Sequence, residues 1–172
     1  MVAVSLKKKE EKEYQLAVQA LKASLPSITF ELLVPDFKGD FLNLQTVLSA
    51  QPDVLNHNLE TVPRLYRKVR PGADYVRSLK LLASAKELRS EQITKTGIML
   101  GLGEERDEVL DLMRDARSKG VDIFTAGQYL QPSKRHLKVE RYLSLEEFNW
   151  YRGQAREVGF SRVEIGPLVR SS

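Results

Sequence analysis

The sequence predicts an α/β chain of parallel strands with helices on their outer side, and three observations carry that reading. Short apolar runs alternate with amphipathic stretches at helical spacing, the pattern of βα units joined by right-handed crossovers. The apolar centre of Thr94–Glu104 breaks at Gly101 and Gly103 just before an acidic helix start, and α/β folds place ligands at such junctions. Most of the unusual polar residues fall at the C-terminal ends of strands: Asp36; Asn56, His57, Asn58 and Glu60; Gly101, Gly103 and Glu104; Gln128, Tyr129 and Gln131. In a βα sheet those ends converge on one rim, which makes the rim the expected ligand site.

Taken in order, residues 1–13 form a charged N-terminal arm expected to fray, and residues 14–172 form the domain. A helix over Tyr14–Ser24 stops at Pro26. Ile28–Val34, rich in β-branched and large apolar residues, predicts a strand that ends in the turn chemistry of Pro35, Asp36, Gly39 and Asp40. A helix over Phe41–Gln51 ends before Pro52, and a short strand over Asp53–Glu60 follows. Arg64–Gly72 reads as a basic connection into a helix over Asp74–Leu88, where Tyr75, Leu79, Leu82 and Ala85 recur at helical spacing.

The strand and turn of Thr94–Glu104 come next. The helix after them carries Glu105, Asp107 and Glu108 in its first turn, Arg114, Arg117 and Lys119 in its last, and Gly120 as a C-cap, matching the helix dipole at both ends. Asp122–Leu130 predicts another strand. Ser144 with Glu147 forms a capping box, Leu143 and Phe148 a staple, and Gly159 closes that helix. Val163–Val169 is a last extended piece. Four clear strands are too few for a closed barrel, so the sheet is either open and doubly wound or part of a barrel.

Composition excludes several classes. The 172 residues are 42% apolar and 29% charged, a globular balance. The net charge of +4 comes from interleaved acids and bases, which reads as solvated faces rather than a nucleic-acid surface. No apolar run predicts a membrane span, and no secretory or transit segment is visible; the expected location is the cytoplasm, or an organelle matrix in a eukaryote. There is no cysteine, which removes disulfides, thiolate zinc sites, a cysteine nucleophile and ordinary thiolate-held clusters. His57 and His136 are too few for a metal site. Gly101 and Gly103 lack the third glycine of a dinucleotide fingerprint, whose place is taken by Arg106. Residue chemistry alone therefore ends at a ligand-binding α/β layer with no visible catalytic group.

Six collinear strings go further: Leu33–Asp40 (LVPDFKGD), Asn56–Val62 (NHNLETV), Val69–Tyr75 (VRPGADY), Gly97–Glu104 (GIMLGLGE), Gly127–Ser133 (GQYLQPS) and Gly166–Ser172 (GPLVRSS). In order and spacing they resemble the C-terminal half of the lipoyl synthase family. The resemblance implies a partial TIM-like radical SAM barrel, here strands 3 to 6 with outer helices and a C-terminal extension. It implies an enzyme that inserts sulfur at C6 and C8 of a protein-bound octanoyl chain, using S-adenosylmethionine and two 4Fe-4S clusters. It also implies an octanoylated carrier domain or H protein as partner, and neither nucleic acid nor membrane.

Carried over residue by residue, the resemblance makes Asn58 and Glu60 holders of S-adenosylmethionine. Met99, in the strand passing beside that molecule, and Arg70, near the cofactor or the octanoyl site, are the other expected binding residues. Ser172, with Ser171 as the alternative, is the expected oxygen ligand to a cluster iron. The family's two cysteine motifs are absent from this sequence, so the chain alone is expected to bind neither cluster and to be inactive. Three readings remain: a fragment, one half of a split enzyme completed by a cysteine-bearing N-terminal half, or a non-catalytic binding module. The strand at Ile28–Val34 is expected to present an unpaired apolar edge.

Overall fold

A computed structural model describes residues 2–5 and 11–170, with side chains placed from Leu16 onward. The elements are β1 (Val2–Ser5), α1 (Glu11–Ser24), β2 (Phe30–Leu33), α2 (Phe41–Ser49), β3 (Val54–Asn56), α3 (Tyr66–Val69), α4 (Tyr75–Leu88), β4 (Ile93–Leu100), α5 (Arg106–Ser118), β5 (Ile123–Gln128), α6 (Leu145–Val158) and β6 (Arg162–Gly166).

All six strands are parallel and lie in chain order, each beside the next, so the strand order never reverses. A doubly wound sheet needs such a reversal. Successive right-handed crossovers in one direction instead leave every helix on one face, as in a barrel wall. Of the two architectures open to the sequence, the chain therefore adopts the barrel-like one, with β1 and β6 as the edges of the described sheet.

The two-residue period of the strands sorts their side chains. Leu32, Leu55, Ile98, Leu100, Phe124, Ala126 and Ile165 enter the two apolar clusters shared with the helices. Glu31, Asn56, Lys95, Gly97, Met99 and Gly127 alternate with them along the same strands and take the opposite face. Capping fixes the helix starts. Asp40 accepts from the Leu42 amide and Asp74 from the Arg77 amide. Ser144 and Glu147 make the expected capping box, and Gly159 closes α6 at φ 98°. Each cap satisfies donors or acceptors that the helix leaves open.

The structure corrects the sequence reading at its start. The expected frayed arm instead contains β1, whose Val2, Ala3, Val4 and Ser5 pair with Phe30, Glu31, Leu32 and Leu33. The edge expected along Ile28–Val34 is thus covered, and α1 begins at Glu11 rather than Tyr14. The conspicuous charge run hid a four-residue strand just before it; residues 6–10, which include the start of that run, lie outside the described residues. The basic connection after Arg64 is also more ordered than expected. It folds as a 3-10 turn at Pro63–Leu65 that continues directly into α3. Among the described residues no helix is long and apolar enough to cross a membrane.

Candidate functional site

The C-terminal ends of β3, β4 and β5 open on a cleft of about 290 Å³. Asn58, Glu60, Met99, Gly127, Tyr129 and the C-terminal segment's Val169 are among its lining residues. Three of the four residues expected to bind cofactor, Asn58, Glu60 and Met99, thus share one cavity. Arg70 does not line it. Its guanidinium lies behind the wall, donating to the Asn58 carbonyl at 2.8 Å and sitting 5.7 Å from the centre of the Tyr66 ring. It can act on the cleft through the backbone of Asn58. Ser171 and Ser172 lie outside the described residues.

Glu60 is held by backbone pairing that outlasts the strand. After β3 ends at Asn56, the Glu60 amide donates to the Gly97 carbonyl at 2.9 Å and its carbonyl accepts from Met99 at 2.8 Å. This bridge fixes Glu60 at φ 67°, a left-handed conformation costly for a residue with a side chain. The Asn58 amide nitrogen donates to the Glu60 carboxylate at 3.2 Å. Burial raises the Glu60 carboxyl above the ordinary range, with the Asn58 hydrogen bond and the Arg70 charge opposing it.

Other polar residues expected on the rim are consumed by structure. His57 is buried; its Nδ1–H donates to the Val34 carbonyl at 2.9 Å, and its Nε2 accepts from Ser78 Oγ at 3.0 Å. Desolvation by burial lowers its pKa to about 4, which keeps the ring neutral near pH 7 with its proton on Nδ1. The Glu104 carboxylate accepts from the Gly101 and Leu102 amides at 2.6 and 2.9 Å, so the turn after β4 is occupied by the protein's own anion. Gln128 ties the Arg141 carbonyl and the Leu143 amide to the sheet.

Sequence reasoning missed two features of the inward face. Below the cleft, Lys95 Nζ meets both Glu31 oxygens at 2.8 and 2.9 Å, and the Asn56 amide adds a third contact to Glu31 at 2.7 Å. The signal was one acid and one base inside two apolar strands, at positions of inward parity. The second feature is Gly127. A Cβ there would stand 1.9 Å from the Val169 carbonyl oxygen, so the C-terminal segment lies directly on the β5 backbone and helps wall the cleft.

The donor set does not fit an iron–sulfur cluster. The sequence has no cysteine, and among the described residues no three His, Asp or Glu side chains gather as a metal site. The polar lining of the cleft suits a polar ligand instead, because the Glu60 carboxylate can accept hydroxyl or ammonium protons.

A singly wound parallel sheet with its polar residues on the C-terminal rim defines a barrel-type α/β protein. Residues 4–116 match the family model of the radical SAM superfamily, and the chain belongs to that superfamily. It is 51% identical over 159 residues to the lipoyl synthase of Rubrobacter xylanophilus, covering 92% of this chain and 50% of that one. With the lipoyl synthase of Klebsiella pneumoniae it shares 53% over 156 residues, or 90% and 49% of the two chains. The chain spans about half the length of these relatives. In fold it is similar to methylornithine synthase, with a TM-score of 0.70 at 17% identity over 90% of this chain and 52% of that one. A domain of the pyruvate-formate lyase-activating enzyme from Bacteroides vulgatus has a TM-score of 0.66 at 10% identity, over 94% and 97%.

Proposed function

We propose that the chain is the C-terminal part of a lipoyl synthase, whose whole protein inserts sulfur at C6 and C8 of a protein-bound octanoyl chain. The observation that carries this reading is the joint placement of Asn58, Glu60 and Met99 in one rim cleft, in a chain half identical to lipoyl synthases. Within it, Glu60 and Asn58 would hold polar groups of S-adenosylmethionine, Met99 would pack beside it, and Arg70 would steady Asn58 from behind. When bound, that molecule supplies the carbon radical that takes hydrogen from the acyl chain. The clusters need thiolates that this sequence does not contain, so the chain alone is inactive, and a cysteine-bearing N-terminal half completes the enzyme in the same polypeptide or as a second one.

Co-expression with a polypeptide carrying the two cysteine motifs tests this. The expected result is cluster absorbance and lipoylation of an octanoylated carrier domain by the pair, neither of which the chain gives alone. A pair that assembles with its clusters but never lipoylates the carrier would overturn the reading.

A further inference from the structure

The connection between β5 and α6, residues 129–144, is long and contains neither helix nor strand, yet it is firmly tied down. Tyr129 Oη donates to the Leu137 carbonyl at 2.8 Å and Gln131 Nε2 to the His136 carbonyl at 2.9 Å. Further along, the Glu140 amide donates to the Gly101 carbonyl at 2.9 Å. Loops of this length without secondary structure are uncommon in compact domains unless they have a task.

Its charge is one-sided. From Gln131 to Val139 the loop carries Lys134, Arg135, His136 and Lys138 and no acid. The adjacent acids are already engaged: Glu140 pairs with Lys68 at 3.1 Å, Glu147 with Arg141 at 2.6 Å, and Glu104 caps the turn after β4. Other bases near this rim, Arg64, Lys68 and Arg141, have carboxylate partners. Lys134, Arg135 and Lys138 are exposed and make no ion pair with any described residue. The same loop begins with Leu130 and Pro132, which line the cleft, and Leu130 and Tyr142 remain 45% and 71% exposed on either side of the basic run.

We infer that this loop is a docking face for the acidic surface of a folded protein that delivers its acyl chain into the neighbouring cleft, an inference that rests on the function proposed above. Three unpaired cations in one short run, flanked by exposed apolar side chains, match a compact protein surface. Such charges steer encounter and fix orientation, while the apolar flanks supply contact area. A nucleic acid would require a longer basic track with stacking side chains.

Fluorescence anisotropy tests this with two labelled probes, an acidic octanoylated carrier domain and a short octanoyl-lysyl peptide that reports on the cleft alone. The chain is expected to bind the domain with an affinity that falls steeply with salt. K134E/R135E/K138E is expected to bind it at least about tenfold more weakly, with unchanged circular dichroism, and K134R/K138R to bind as the original does. Equal affinity in the charge-reversed variant, no binding of the domain, or displacement of the domain by a random single-stranded oligonucleotide would each overturn the docking face. Charge-dependent binding of the domain with no binding of the peptide supports the docking face and counts against the cleft as acyl site, which separates the two claims.

Discussion

The Glu31 carboxylate and the Lys95 ammonium form a two-point ion pair across the inner face of the sheet, with side chains only 1% and 6% exposed. Their strands do not touch each other; β3 lies between them and contributes Asn56 to the same carboxylate. Desolvating two charges costs several kcal/mol, which their attraction offsets only while both are present. Lys95→Met is therefore expected to destabilise the chain by about 3–5 kcal/mol, since it removes the two-point contact to a buried carboxylate. Restoring neutrality in E31Q/K95M is expected to recover much of that loss. Urea denaturation of the three proteins measures it, and a K95M variant as stable as the original would refute a structural role for the pair.

His57 gives the fold an acid-sensitive point. Its folded pKa of about 4 lies below the ordinary histidine value of 6.5, so the unfolded chain takes up the proton first as pH falls. The stabilisation is complete above about pH 6.5 and is lost progressively down to about 4, at up to about 1.4 kcal/mol per pH unit. In His57→Gln that part of the slope disappears, whatever the substitution does to stability at neutral pH. Denaturation midpoints for both proteins across this pH range provide the check.

Two glycines answer differently to the same added methyl. At Gly101, with φ 101°, a Cβ would lie 2.4 Å from both the Arg141 carbonyl oxygen and Gln128 Nε2, so Gly101→Ala is expected to cost about 1–3 kcal/mol in backbone strain alone. At Gly127 the obstacle is the Val169 carbonyl in the C-terminal segment. Gly127→Ala should displace that segment and leave the sheet folded. Thermal melts with carboxypeptidase digestion separate the outcomes: a lower melting temperature for the first, faster trimming for the second.

The role proposed for Glu60 predicts how S-adenosylmethionine affinity depends on pH once a cysteine-bearing half completes the protein. Because burial raises its carboxyl above the ordinary glutamate range, protonation removes the acceptor at a higher pH than for an exposed glutamate. S-adenosylmethionine affinity is expected to weaken on the acid side from that point, and Glu60→Gln to weaken it by about tenfold at neutral pH, roughly the worth of one charged hydrogen bond. Calorimetric titration at several pH values measures both.

Much of this molecule follows from local chemistry. The capping box of Ser144 and Glu147, the Asp74 cap and the Gly159 terminus are signals within a few residues of the atoms they organise, so they were legible one segment at a time. The same holds for Asn58 and Glu60, polar residues at a strand's C-terminal end and so expected on the rim before any packing was known, whereas Met99 was expected only through the family resemblance. His57 was legible only as a polar residue at a strand end. Its two partners, Val34 and Ser78, come from segments distant in sequence, and they turn an expected rim residue into a neutral core group.

The sequence by itself determined the βα alternation, the end of the sheet on which the unusual polar residues gather and, through the absence of cysteine, that this chain has no thiolates with which to hold a cluster. Tertiary structure alone decided the winding of the sheet, the strand hidden before the charge run, the Glu31–Lys95 pair and the contact of Val169 on Gly127. Each of these depends on which strands become neighbours. That is settled by crossover direction and by burial between distant segments, and a periodic pattern along the chain encodes neither.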